Sequence, residues 1–231
     1  MIRLADFERI VFFTGAGLSA ESGIPTYRGQ GGLWHEYNYE DYACQRAFDR
    51  DPDRVWDFHD QRRVAVGACE PNTGHEIIAA TQRAQSRTRI VTQNIDGLHQ
   101  RAGATEVIEL HGSLWRVRCD PCGTREPNLE TPLANRRCPG CGGAWRPDII
   151  WFEDMLDPRP VRAAEAAIEA CDLFVSIGTS GVVFPAAALP QIAMAKGATL
   201  VEINPEETAV SAWYQHHLRG RASEMLRTIA G

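Results

Sequence analysis

The sequence predicts an α/β fold: a parallel sheet with helices on both faces, plus a small domain built from inserted segments. Three observations predict it. Short apolar runs recur at residues 10–13, 89–92, 107–110, 173–177 and 199–203. Such runs lack polar alternation, so they read as strands buried on both faces. Helical stretches at 75–84, 161–170 and 186–196 stand between some of them, and alternating strands and helices favour a parallel sheet. Most runs also end in glycine or polar residues: Gly15, Gln93-Asn94, His111-Gly112, Gly178-Thr179-Ser180 and Asn204-Pro205. Open α/β sheets bind ligands at the carboxyl ends of their strands, so five clusters are expected to meet in one crevice.

The first run leads into Gly15-x-Gly17-x-x-Ala20. This is the spacing of a strand-to-helix turn that brings backbone N–H groups to a pyrophosphate, and it makes the expected sheet Rossmann-like. The helix that should follow is cut short. Gly23 loosens the backbone and Pro25 removes a donor, which stops the helix within about two turns. Residues 14–28 therefore open into a loop carrying Tyr27 and Arg28. A loop over a bound dinucleotide suggests that the dinucleotide is a reactant and not only a fixture.

Residues 29–71 break the alternation, being rich in aromatics and charge, with a helix start at Asp51-Pro52-Asp53. After the strand at 89–92 comes Gln93-Asn94-Ile95-Asp96. Two amides and a carboxylate suit hydrogen bonds to ribose hydroxyls or a carboxamide. The same Asp96 equally suits a helix N-cap. His111 ends the next strand directly beside these clusters, unlike His35, His75, His99, His216 or His217. An imidazole there can take a proton near neutral pH.

Residues 114–147 break the pattern again, with Gly, Pro, Arg and Cys and little apolar periodicity. Cys119-x-x-Cys122 and Cys138-x-x-Cys141, separated by fifteen residues, fit a four-cysteine zinc ribbon. Four protein ligands leave no open position, so the expected Zn2+ is structural. The arginines around it, such as Arg116 and Arg137, read as a solvated rim. Gly197 is a natural stop for the helix at 186–196. The expected organisation is a nucleotide-binding domain of 1–28, 72–113 and 148–231. The helical insertion 29–71 and the zinc module 114–147 make the small domain.

A length of 231 residues suits one large domain with an insert. The net charge of −6 argues against nucleic acid as the main partner. No stretch has the roughly 18 apolar residues of a membrane span, and the N-terminus lacks a secretory pattern. The chain reads as a cytoplasmic monomer without a membrane partner.

Taken together, these residues resemble the sirtuin family, the NAD-dependent protein deacylases. The carrying motifs are GAGLSAESGIPTYRG (15–29), TQNIDGLH (92–99), HG (111–112), both cysteine pairs, RPDIIWFED (146–154), GTSGVVFPAA (178–187) and Glu202-Ile203-Asn204. Their order and spacing match from about residue 10 to about residue 220. The segments 55–63 and 70–75 and Pro25-Thr26 are most similar to the compact desuccinylase-type branch.

The resemblance implies removal of an acyl group from lysine with consumption of NAD, giving nicotinamide and O-acyl-ADP-ribose. It implies His111 as general base, with Asn94 and Asp96 completing the catalytic set and, with Ile95, lining the nicotinamide pocket. Gln93 should hold the ribose hydroxyls. Gly15, Ala16, Gly17, Glu21, Thr26, Tyr27 and Arg28 should form the NAD loop. Gly178, Thr179 and Ser180 should contact phosphate and ribose, and Asn204, Pro205 and Glu206 the adenosine end. An acyl-lysine peptide should lie as an added strand between Ile150-Trp151-Phe152-Glu153 and Gly181-Val182-Val183.

Three departures are visible. Tyr27 replaces the family's usual Phe, and Glu153 its usual Gly. The branch's Tyr and Arg for an acyl carboxylate become His59 and Arg62, which three-residue spacing puts on one helix face. Acidic acyl groups (succinyl, malonyl) are therefore expected alongside acetyl. If His59 is the donor, their preference should grow as pH falls toward about 6.5. Two other readings share these residues: a protein mono-ADP-ribosyltransferase and a non-catalytic NAD-sensing module.

Overall fold

Residues 10–14 form a strand buried along its whole length. The computed structural model in which it is seen describes residues 2–27, 32–33 and 37–231. Among them, in chain order, run β1 (Ile10–Thr14), β2 (Arg89–Thr92), β3 (Val107–Glu109), β4 (Gly112–Arg118), β5 (Arg125–Pro127), β6 (Arg146–Ile149), β7 (Leu173–Ile177), β8 (Thr199–Ile203) and β9 (His216–Leu218). Six of these make a parallel sheet in the order β3-β2-β1-β7-β8-β9. The five apolar runs are its first five strands.

Both faces of the sheet are covered, which explains the runs without alternation. Ile10 and Phe12 pack with Ile78 and Ala79 of helix Thr73–Ala84 and with Leu226 and Ile229 of helix Ala222–Ala230. Val11 and Phe13 face the other way, toward Ala164 and Ile168 of helix Pro158–Ala170 and Leu189 and Ala193 of helix Leu189–Ala195. The helices start earlier than apolar spacing predicts, because their caps lie upstream. Asn72 caps one through a capping box with His75, and Asp157 accepts from the Arg159 amide in another. The third expected helix begins as a 3-10 turn, Ala186–Ala188, and ends before Gly197 at φ 78°. No helix among the described residues is long and apolar enough to cross a membrane.

The segment that looked irregular holds an antiparallel sheet, β5-β4-β6. Helix Pro52–Gly67 packs against it, started by Asp51, whose carboxylate accepts from the Arg54 amide at 3.0 Å. The two share a second core of Val55, Trp56, Leu114, Val117, Trp145 and Trp151. Arg63 is buried in this core between the Trp56 and Trp115 rings, and donates to the Asn128 backbone oxygen at 2.7 Å.

The turns after β1 and β7 touch backbone to backbone. Gly15 N donates to Ile177 O at 2.9 Å and Gly17 N to Gly178 O at 3.0 Å. A Cβ on Gly17 would lie 2.6 Å from Gly178 Cα, and one on Gly15 2.7 Å from Gly178 O. Packing of turn on turn therefore demands these glycines, whatever a ligand requires. Helix Ala16–Ser19 and the 3-10 turn Ala20–Ser22 then stop at Gly23, φ 90°, as the early break predicts. Gly17→Ala should lower unfolding free energy by about 1–3 kcal/mol, the usual cost of overpacking. Urea denaturation at unchanged slope checks this.

Candidate active site

A cleft of about 1100 Å3 opens at the carboxyl ends of the parallel strands. It lies where strand order reverses about β1 and β7, the place where doubly wound sheets bind ligands. All five strand-end clusters border it, through Gly15, Gln93-Asn94, His111, Gly178-Thr179-Ser180 and Asn204-Pro205. Ala16, Gly17, Glu21, Thr26, Tyr27, Ile95 and Glu206 also line it. So do Ile150, Trp151, Phe152, Glu153 and Val183, with His59 and Arg62. Gly181 and Val182 do not; Gly181 faces Val210, and Val182 is half exposed at the rim. Asp96 lies in a small adjoining cavity shared with Asn94, Ile95, Tyr27 and Arg62. Arg28 falls outside the described residues.

The residues after β2 are held from several sides. Asn94 Nδ2 donates to Gly15 O at 3.0 Å and to Ser19 Oγ at 3.1 Å. Asp96 accepts from Ser19 Oγ at 2.7 Å and from the Leu98 amide at 2.9 Å. The short helix Leu98–Arg101 has Gly97 and not Asp96 at its N-cap, but Asp96, one residue earlier, still takes its first free amide from within the cavity wall. Burial pushes its carboxyl pKa up, against the pull of those two bonds. His111 Nδ1 lies 3.0 Å from Gln93 O. A carbonyl oxygen only accepts, so Nδ1 carries the proton and Nε2 is the basic nitrogen of the neutral ring. The His111 carbonyl in turn accepts from the Ile150 amide at 2.9 Å.

On the opposite wall, Arg62 Nη2 donates to Tyr27 Oη at 2.7 Å. Its guanidinium carbon lies 5.1 Å from the Tyr27 ring centre and 5.8 Å from that of Phe58. The geometry runs against the donor role expected of His59. It has no exposed surface, and its Nε2 is 3.2 Å from both Trp151 Nε1 and Tyr42 O. One partner only donates and the other only accepts, so Nε2 serves one at a time. Burial holds its pKa down at about 3, so the ring is neutral near pH 6.5. Glu21, which lines the cleft, is held by the last helix: its carboxylate accepts from the Ser223 amide at 3.0 Å and from Ser223 Oγ. Glu153 takes a left-handed backbone conformation, φ 73°, which accounts for glycine being usual there.

A family model described as the Sir2 family matches residues 15–185. The chain belongs to the Sir2 family. A relative named NAD-dependent protein deacylase from Aquifex aeolicus is 44% identical over 95% of this chain and 93% of its own length. NAD-dependent protein deacylase 1 of Caldanaerobacter subterraneus is 47% identical over 87% of this chain and 84% of its own. Among solved structures, a Sir2 homologue–NAD complex is 40% identical, with TM-score 0.90, covering 98% of this chain and 91% of that one. A Sir2 complex with a deacetylated p53 peptide and acetyl ADP-ribose is 30% identical, with TM-score 0.86, covering 97% of this chain and 93% of that one.

The Sir2 chain also brings Cys119, Cys122, Cys138 and Cys141 together, with all four sulfurs within 4.8 Å of one another. A tetrahedral zinc–thiolate site separates its sulfurs by about 3.8 Å. Here Cys119 Sγ and Cys141 Sγ are 3.4 Å apart, and Cys122 Sγ and Cys138 Sγ 3.7 Å, so the donor set fits Zn2+. The ribbon is joined to the cleft. Trp115 Nε1 on β4 donates to Asp96 O at 2.6 Å, and the Leu114 amide to Ile95 O at 2.9 Å.

Arg146 and Asp154 bound the RPDIIWFED stretch, but nothing local in the sequence gives either one a role. Asp154 accepts from the Trp151 amide and ion-pairs with the buried Arg146, which lies 3.7 Å from the Trp151 ring centre. This fixes the strip 150–154. Arg221 reaches the cleft from the start of the last helix, an element not foreseen.

Two predictions follow from this arrangement of β4 and of the buried rings. Chelating the zinc should lower the melting temperature by roughly 5 °C or more and weaken NAD binding, because β4 anchors residues 95 and 96. Thermal melts and calorimetry with NAD test both halves. His59, His75 and His99 are buried, and burial lowers them to about 3, 4 and 3. These values lie below the unfolded 6.5, so the native state binds fewer protons in between. The stability they confer is complete above about pH 6.5 and drains as pH falls toward 4 and then 3. Each should account for roughly 1–3 kcal/mol. A flat stability profile between pH 6.5 and 4 would contradict this.

Proposed function

We propose that this Sir2 protein is an NAD-dependent protein-lysine deacylase, with a preference for acidic acyl groups over acetyl. The carrying observation is His111, set by the Gln93 carbonyl so that Nε2 is basic, in the same cleft as the glycine turns and the strip 150–153. NAD, when bound, supplies the glycosidic bond whose cleavage releases nicotinamide and leaves ADP-ribose as acyl acceptor. The chain's part is to bind, orient and move one proton. Residues 15–17 and 178–180 would take the phosphates, Gln93 the ribose near His111, and Asn204 the adenosine ribose. Asn94, Ile95 and Asp96 would enclose the nicotinamide, and Tyr27 would screen the reactive face. His111 Nε2 would take a ribose hydroxyl proton, as a positioned neutral imidazole can.

The peptide would add as a strand along residues 150–153, with the rim at 181–183 opposite. Ile150 supports this, since its amide already pairs with the His111 carbonyl and so places the strip beside the base. On this reading 1–28, 72–113 and 148–231 bind NAD, while 29–71 and 114–147 form the small domain.

Arg62 supports the acidic-acyl reading. It borders the cleft and forms no ion pair among the described residues. A planar guanidinium there suits a carboxylate bidentately.

A panel of lysine peptides differing only in the acyl group, assayed with and without NAD by mass spectrometry, tests the proposal. Succinyl and malonyl peptides should turn over faster than acetyl, and only with NAD. Arg62→Met should erase that difference. The preference should not grow between pH 8 and 6.5, because His59 stays uncharged. His111→Ala should cut turnover by roughly a hundred- to ten-thousandfold while NAD binding persists. A variant that kept most of its turnover would remove His111 from the base role. ADP-ribose stably attached to protein would point to transfer in place of deacylation.

A further inference from the structure

The helix-face pair expected to hold an acyl carboxylate is incomplete, because His59 is sealed beneath Trp151 and Tyr42. A phenol from a different element stands beside Arg62 instead. Tyr27 Oη accepts from Arg62 Nη2 at 2.7 Å, and the guanidinium lies over its ring. Both residues border the main cleft and the adjoining cavity with Asn94 and Ile95.

We propose that Tyr27 is the second carboxylate-recognition residue of this enzyme, so that the loop closing over NAD also selects the acyl group. The proposal rests on the acidic-acyl deacylase reading above. The chemistry is complementary. Arg62 has five N–H donors in one plane and gives one of them to Tyr27, and the phenol carries an O–H donor of its own. A carboxylate beside the pair would accept from both. Tyr27 follows the break at Gly23, in the stretch after the 3-10 turn Ala20–Ser22, hence a bound acyl carboxylate would also hold that stretch over the reacting ribose. Reciprocity then requires an acidic acyl peptide and NAD to tighten each other by the same factor.

The test compares kcat/KM for succinyl and acetyl peptides in wild type, Tyr27→Phe, Arg62→Met and the double variant. Tyr27→Phe removes one oxygen and keeps the ring, and the succinyl-to-acetyl ratio cancels any loss common to both substrates. The ratio should fall about tenfold in Tyr27→Phe, the worth of one hydrogen bond to a charged group, through KM for the succinyl peptide. The double variant should fall no further than Arg62→Met alone. In wild type, NAD should bind more tightly with the succinyl peptide present than with the acetyl one, and Tyr27→Phe should abolish that difference.

An unchanged ratio in Tyr27→Phe, with Arg62→Met still abolishing the preference, overturns this inference and leaves the acidic-acyl reading standing. Losses that simply add in the double variant also overturn it, because they make the two residues independent. A wild-type enzyme that deacylates with no acidic preference overturns the inference and the acyl reading together. Absence of NAD-dependent turnover on every acyl peptide removes the deacylase reading beneath both.

Discussion

The contact between the turns after β1 and β7 is the constraint on which the rest depends. Gly15 and Gly17 bond to Ile177 O and Gly178 O at distances that leave no room for a side chain. That contact fixes the two central strands at the point where their ends diverge. The cleft is the space so created. Because the turn amides of Gly15 and Gly17 are spent on the protein itself, the turn's shape is set before any nucleotide arrives. Such preorganisation spares a ligand the cost of ordering its own site.

Residues 93–97 are then held between two independently cored units. Asn94 and Asp96 reach the β1 side through Gly15 and Ser19. Ile95 and Asp96 are gripped from the ribbon side by Leu114 and Trp115. Gly97 sits at φ 74°, where a Cβ would lie 2.7 Å from the Trp115 ring. The zinc site is joined to His111 through β4, which begins one residue after His111 and ends one residue before Cys119. Removal of the metal therefore loosens a wall of the cleft as well as a surface module.

Much of this was legible in the sequence, for physical reasons. Doubly buried strands read as plain apolar runs, and four cysteines at ribbon spacing have few other uses. β9 escaped notice because it is only three residues long and His216 and His217 are exposed, leaving no apolar run to mark it. The final helix, Ala222–Ala230, gets no cap bond from its own N-cap residue Arg221, and the carboxylate that meets its first turn comes from distant Glu21, so nothing local marks its start. In the site, spacing placed His59 and Arg62 on one face but could not give depth. That depth is set by Trp151, 92 residues away. The hold on Glu21 was likewise not legible, because its partner, Ser223, lies 202 residues further on. The role of Tyr27 needed a helix of the small domain to meet the first loop.

Gly112 has one further consequence. It stands at φ 77°, and a Cβ there would lie 2.1 Å from Asp148 O. The base, this glycine and the strip that follows β6 are thus tied into one unit that tolerates no added atoms. Diversification among descendants of this enzyme has to happen elsewhere. Phe184, with a relative exposure of 72%, borders the cleft. Exchanges at such places leave the catalytic unit undisturbed. The architecture separates an invariant reaction from an adjustable choice of protein targets, so new targets can be acquired without rebuilding the chemistry.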